Sequence, residues 1–265
     1  MPNWTRNMLI VGSDKKMAEL VKSHCPVDKE SGLPEMDFNT IRKMPEDLSI
    51  EYGSRSHDGL RLLFTKLNPE VGYYGEEKDK LPPDAYLALQ SEMSDHCWSD
   101  DLKPLSKEEL ERLQTKYKDG LPKVEQLGRQ CVANAKKFGA MNWYEWCIQN
   151  WGTKWNATDT CVEGSEMTFD TAWDPAVPAI VELSRQHPEM PMALLFADEQ
   201  TGARTGFVLM KGGKIDESGS FKDFSVDAYK LAFKCWGNED EYKFDPKKNT
   251  YIRRDFETEI GEGER

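Results

Sequence analysis

Histidine is scarce in this chain. There are four in 265 residues, and none stands beside a GxSxG motif or a helix-leading cysteine. That leaves little from which to build a nucleophile and its base. The six cysteines (Cys25, Cys97, Cys131, Cys147, Cys161, Cys235) include no Cys-x-x-Cys pair. Their spacing lacks the clustering of an iron–sulfur site and reads as scattered, reduced thiols. His24-Cys25 and His96-Cys97 are adjacent pairs, and neighbours rarely reach one ion together, so a zinc site is not expected. No cofactor is expected either.

No stretch approaches the roughly 18 apolar residues of a membrane span. The opening MPNWTRNMLIVGS has neither the apolar core nor the small-residue cleavage site of a secretion signal. The cytoplasm is the expected compartment. Basic residues are outnumbered, 35 Lys and Arg against 47 Asp and Glu, a net charge of -12. Such a balance disfavours general phosphate-backbone binding, which needs Lys and Arg to displace counterions. It suits solubility or a basic partner. Internal repeats and low-complexity tracts are absent from the sequence.

Aromatic residues, by contrast, are plentiful and concentrated. Five of the eight tryptophans (Trp143, Trp146, Trp151, Trp155, Trp173) lie between Asn142 and Asp174. Trp143, Trp146, Cys147 and Asn150 have helical spacing, and Gly152 is placed to end that helix. Met167, Phe169, Thr171 and Trp173 then alternate with more polar residues, as in a half-buried strand.

Earlier in the chain, Trp4 to Val11 reads as an internal strand. Ser13 is positioned to cap a helix carrying Met17, Leu20 and Val21. Residues 26–58 are turn-rich. Residues 59–138 read as three or four helices on short loops, one opened by a capping box of Ser106 and Glu109. Beyond Trp173, Asp174 with Pro175 predicts a helix start. Met192 to Ala197 and Thr205 to Met210 predict a hairpin, and Val226, Tyr229 and Phe233 a last helix.

With the helical stretch removed, the order is β-α-β-β-α-β, the split unit of ferredoxin-like folds. The expected class is therefore α+β, an antiparallel sheet with a large all-helical insertion after the first strand-helix pair. The expected boundaries are 1–25 and 139–237 for the core, 26–138 for the insertion and 238–265 for a charged tail whose end, DFETEIGEGER, is expected to fray. Such a sheet carries both helices on one face and leaves the other free.

The segments MPNWTRNMLIVG, WYEWCIQNWGTKWNA, MTFDTAWDPAVPAI and ALLFADEQTGARTGFVLMKGG resemble the YubB ferredoxin-like family, the Api-like proteins of phages and conjugative plasmids. The resemblance covers the opening strand and roughly residues 141–215. It implies a ferredoxin-like fold and a mobile-element setting, and it brings no catalytic residues.

Asp170 and Asp174 sit four residues apart and are the best acid/base pair on offer, but a capping role accounts for Asp174. RTGFVLM (204–210) partly resembles an RNA-recognition strand, yet Phe207 stands without the second aromatic that stacks a base. No catalytic constellation emerges. The expected function is a non-enzymatic interaction protein that binds a host protein, such as a defence or replication component. The alternative is single-stranded nucleic-acid binding by the sheet face or the tryptophans. Candidate surface residues are Trp151, Lys154 and Trp155 in WGTKW, and in the insertion Tyr73, Tyr74 and Trp98 beside acidic Glu108, Glu109 and Glu111.

Overall fold

The structure, a computed structural model, describes residues 3–29, 31–97 and 99–254. The chain opens with β1 (Trp4–Val11), α1 (Asp14–His24) and the one-turn α2 (Phe38–Ile41). Five helices follow: α3 (Ser54–Leu67), α4 (Pro83–Met93), α5 (Lys107–Lys116), α6 (Leu121–Phe138) and α7 (Trp143–Trp151). Then come β2 (Thr158–Glu163), β3 (Glu166–Ala172), α8 (Val177–Gln186), β4 (Met192–Asp198), β5 (Gly206–Lys211) and β6 (Lys214–Ser220). The series ends with α9 (Val226–Trp236), β7 (Tyr242–Asp245) and β8 (Thr250–Arg253). Two compact units result, Met1–Lys43 with Cys147–Arg265, and Met44–Trp146.

The first unit is built on a six-stranded sheet in the order β2-β3-β1-β4-β5-β6, with every neighbour antiparallel. Its strands β2-β3-β1-β4, joined through α1 and α8, have the ferredoxin-like order. β5 and β6 extend that sheet by two hairpins. Period-two alternation sends Leu9, Met167, Leu194 and Val208 to one face, where all are buried. The buried side chains Met17 and Leu20 of α1 and Ile180 and Leu183 of α8 serve this side of the sheet.

The opposite face was expected to be free, and it is not. α9 lays Ala232, Cys235 and Trp236 against Met8, Ile10, Leu195 and Ala197 of β1 and β4. Its cap is the one its sequence offers, with Ala228 N–H donating to Ser225 Oγ.

Three further expectations are corrected. Residues 26–43 lie in the sheet unit rather than in the insertion, because Phe38 of α2 is a core residue. Its ring meets Phe169 at 5.9 Å between centroids and Trp151 at 5.7 Å. Phe38 and Ile41 are two apolar residues within turn-rich sequence, too few to betray that role. The tail is ordered up to Arg253: β7 and β8 pair, and Tyr242 and Tyr251 pack on Tyr229 and Phe233 of α9. The segment 255–265, expected to fray, lies outside the described residues. Lastly, Asp174 does not cap α8, whose N-cap is Ala176.

The second unit holds α3 to α6 and the start of α7. Leu60, Phe64, Tyr86, Met93, Leu102, Cys131, Ala135 and Met141 make one cluster, and Leu62, Leu105, Leu110, Leu113, Tyr117, Leu121 and Val124 a second. α3 and α6 touch backbone to backbone at Gly59 and Gly128. A Cβ on Gly128 would overlap the Gly59 carbonyl and stand 2.8 Å from the Leu60 nitrogen. In an ordinary helix, Gly→Ala gains about 1 kcal/mol of propensity. Here no rotamer relieves a clash with backbone, and overpacking costs about 1–3 kcal/mol. Gly128→Ala is therefore expected to lower the urea midpoint of this unit. A raised midpoint would mean that the two helices part freely.

Candidate functional site

At one end of the sheet, three tryptophans from distant parts of the chain come together. Trp4 begins β1, Trp155 follows the Gly152 turn that closes α7, and Trp173 follows β3. Lys154 reaches between two of them. Its Nζ lies 3.9 Å from the Trp155 ring centroid and 3.8 Å from that of Trp173. Trp4 flanks Trp155 at 6.4 Å. An ammonium between two indole faces is held by the ring quadrupoles, an interaction worth about 0.5–2 kcal/mol. Both indoles stay open to solvent, Trp155 at 42% and Trp173 at 39%.

The turn that presents Trp173 is fixed from beneath by buried polar side chains. Thr153 Oγ1 donates to Ala172 O at 2.9 Å, Thr5 Oγ1 to Trp173 O at 3.0 Å and Thr171 Oγ1 to Asp174 O at 2.8 Å. Asn7 Nδ2 donates to Thr171 Oγ1 at 2.8 Å, while Asn7 Oδ1 accepts from Ala176 N–H at 3.1 Å. These bonds satisfy a loop that would otherwise bury orphan carbonyls. They also hold Trp173 at a φ of +74°, a left-handed conformation that costs a bulky residue free energy unless its surroundings impose it.

Beside this turn, Asp174 forms an ion pair with Arg204 of the β4–β5 loop, and the Arg204 guanidinium also lies 3.8 Å from Asp198 Oδ2. The segments that carried the family resemblance thus meet here: WGTKWNA supplies Lys154 and Trp155, MTFDTAWDP supplies Trp173 and Asp174, and ADEQTGART supplies Asp198 and Arg204.

The residues singled out from the sequence fare differently. Lys154 and Trp155 are at this surface. Trp151 is not, being only 4% exposed, with its indole N–H donating to Arg42 O at 3.0 Å. Tyr73 is half open and donates its hydroxyl to Leu105 O. Tyr74 packs on the second helical cluster, its hydroxyl donating to Glu125 at 3.2 Å, and burial raises its pKa. Trp98 lies outside the described residues. Glu108 and Glu111 are exposed, but Glu109 is committed to structure. It accepts from Ser106 N–H at 2.8 Å and from Arg61 at 2.7 Å, and those bonds hold its pKa down.

Asp170, half of the candidate acid/base pair, is bound by Arg6 through two parallel bonds of 2.7 and 2.8 Å. That geometry is a structural ion pair. Burial pushes the thiols of Cys25, Cys97, Cys131, Cys147 and Cys235 up to about 12, which keeps them protonated. Among the described residues, no three His, Cys, Asp or Glu side chains converge as a metal would require.

Two histidines that no sequence pattern linked do meet, at the ends of α1 and α8. His24 Nε2 and His187 Nε2 are 3.3 Å apart, and His24 Nδ1 is 3.0 Å from Thr40 Oγ1. Burial lowers the His24 pKa, and His187 lowers it further. The unfolded chain therefore takes up a proton near pH 6.5 that the folded protein refuses. This contribution leaves stability intact above that pH and erodes it as pH falls towards the folded-state value. Urea midpoints are expected to drop as the pH falls below about 6.5, and less steeply in His24→Gln. Equal slopes for parent and variant would show that other groups govern the acid limb.

A sequence model of the family described as the ferredoxin-like domain in Api92-like protein matches residues 150–239. The match spans β2 to α9, the stretch that contains Trp155, Trp173 and Arg204. The crystal structure of a protein api92 from Yersinia pseudotuberculosis aligns with 84% of this chain and 99% of its own, at 13% identity and a TM-score of 0.35. No curated protein matches the chain. This part of the protein is a ferredoxin-like α+β domain similar to that of Api92-like proteins.

Proposed function

We propose that the protein is a non-enzymatic binding protein of a phage or conjugative plasmid. In this reading it acts in the cytoplasm of the bacterial host, on a host protein of defence or replication. The tryptophan end of the sheet is the recognition surface. The observation that carries this reading is the Lys154 ammonium between Trp155 and Trp173, two large open rings, the second on a turn fixed by buried hydrogen bonds. Rigid, exposed indoles are the residues that dominate protein interfaces, since they bury much area at little entropic cost. Glu108 and Glu111 of α5 add an exposed acidic face that favours a basic partner. The mobile-element setting rests on the family resemblance alone.

Open tryptophans beside a lysine also suit stacked bases, which keeps single-stranded nucleic acid as the second reading. The sheet face is less suited to that role, because α9 covers β1 and β4 on the face that RNA-recognition modules leave open for bases.

The test compares the parent with a Trp155→Ala/Trp173→Ala double variant in affinity capture from bacterial lysate. The parent is expected to retain a host protein that the variant loses, while their melting temperatures stay close. A partner retained equally by both would move recognition away from this surface. Binding to labelled single-stranded DNA or RNA that weakens steeply with salt would put nucleic acid in the partner's place.

A further inference from the structure

The tryptophan surface borders a pocket of about 360 Å³. It is lined by Thr5 at the start of β1, Asp174, Phe196 of β4, Arg204 and Thr205 of the β4–β5 loop, and Phe221 and Asp223 after β6. Three features in and just behind its wall call for an occupant. Thr205 is fully buried, yet its Oγ1 has no hydrogen-bond partner among the described residues. Asp198 is not part of the lining but lies behind Arg204; it is 2% exposed, its Oδ1 accepts from Gln200 N–H at 2.9 Å, and its Oδ2, 3.8 Å from the Arg204 guanidinium, accepts no hydrogen bond among the described residues. Leaving such atoms unmade costs about 1–3 kcal/mol each, more when the group is charged. The third feature is charge. Among the lining residues two carboxylates, Asp174 and Asp223, accompany one cation, Arg204, and Asp198 behind it adds a third carboxylate, so the lining carries an excess of negative charge.

We propose that this pocket receives an arginine side chain of the protein partner, so that the inference rests on the protein-binding reading above. The chemistry selects a guanidinium in three ways. It is a cation, which the carboxylates require. It is planar and weakly hydrated, which suits a pocket whose lining includes the aromatic residues Phe196 and Phe221. It carries five donors and no acceptor, matching a carboxylate oxygen and a hydroxyl that both accept. The protein already supplies a stand-in. Arg204 pairs with Asp174 and reaches within 3.8 Å of Asp198 Oδ2, too far for a hydrogen bond to it. Half exposed and on a loop, Arg204 swings aside as the incoming guanidinium makes the bond that Arg204 does not.

The test needs no host partner, so its outcome is separate from that of the capture experiment. N-acetyl-L-arginine amide is titrated into the full-length protein and followed by the amide resonances of Asp198 and Thr205. Saturable binding in the millimolar range is expected, as suits one side chain without its chain. N-acetyl-L-citrulline amide, its neutral isostere, is expected to bind about tenfold more weakly, because a charged partner strengthens the hydrogen bond. Asp198→Asn keeps the acceptor for Gln200 and removes the charge, and about a tenfold loss is expected there too. Arg204→Ala vacates the stand-in's place and is expected to tighten binding.

If Asp198→Asn does not fold, Thr205→Val replaces it, with a smaller loss expected. The proposal is overturned by no saturation up to about 50 mM arginine amide. Equal affinity for the citrulline isostere overturns it as well, as does unchanged affinity in the folded Asp198 or Thr205 variant. Arginine binding with no host protein captured would leave this pocket standing and remove the partner reading instead.

Discussion

Trp151→Ala is expected to cost about 3–5 kcal/mol of stability, the range for truncating a large buried aromatic. The indole is enclosed by the sheet unit, packs on Phe38 at 5.7 Å and donates its N–H to Arg42 O. Truncation opens a cavity against Phe38 and leaves the Arg42 carbonyl without that donor. Four residues on, Trp155→Ala should cost about 1 kcal/mol, because the residue is 42% exposed and its ring loses chiefly the contacts with Lys154 and Trp4. Urea melts of the two variants side by side provide the test. Similar midpoints would contradict the division of this motif into one core ring and one surface ring, and with it the binding surface proposed here.

Arg6→Ala is expected to be nearly as severe, for a different reason. The Asp170 side chain is 8% exposed, and its two oxygens each accept a hydrogen bond from Arg6. Removing the arginine leaves a buried carboxylate without its counter-ion, a change that costs about 3–5 kcal/mol when a pair is fully enclosed. Arg6 retains some solvent contact, which places the expectation near the lower end, about 3 kcal/mol. The guanidinium also lies 4.4 Å over the Trp236 ring, so α9 loses a packing partner in the same variant. Replacing both members, as Arg6→Met with Asp170→Leu, should recover most of the loss. If Arg6→Ala melts like the parent, water is reaching Asp170 and the pair contributes little.

The fold class was legible because it depends on local pattern. Alternation in Trp4–Val11 and Met167–Trp173 fixed strands, the Ser13 and Ser106 caps fixed helix starts, and Gly152 fixed a stop. The order of those elements was enough to imply a ferredoxin-like sheet. Where local rules misled, a tertiary contact had outcompeted them. Asp174 has the chemistry of an N-cap, but Arg204, thirty residues away, takes its carboxylate. Trp151 and Trp155 look alike in sequence, and only the packing of Phe38 separates core from surface. The charged residues of 242–253 hide two tyrosines that dock on α9.

The candidate site was the least legible part, for a physical reason. Its members come from positions 4, 154–155, 173–174, 198 and 204–205, and no one segment holds enough of them to make a pattern. By itself the sequence determined which strands and helices form, the excess of acid over base, and where large aromatic rings are concentrated. Sheet register and loop hydrogen bonds decided the rest. They placed Lys154 between two indoles, left Asp198 and Thr205 unsatisfied beside them, and spread α9 over the face that the order of elements had left bare. Such choices depend on which distant surfaces meet, and a chain's local preferences carry no record of that meeting.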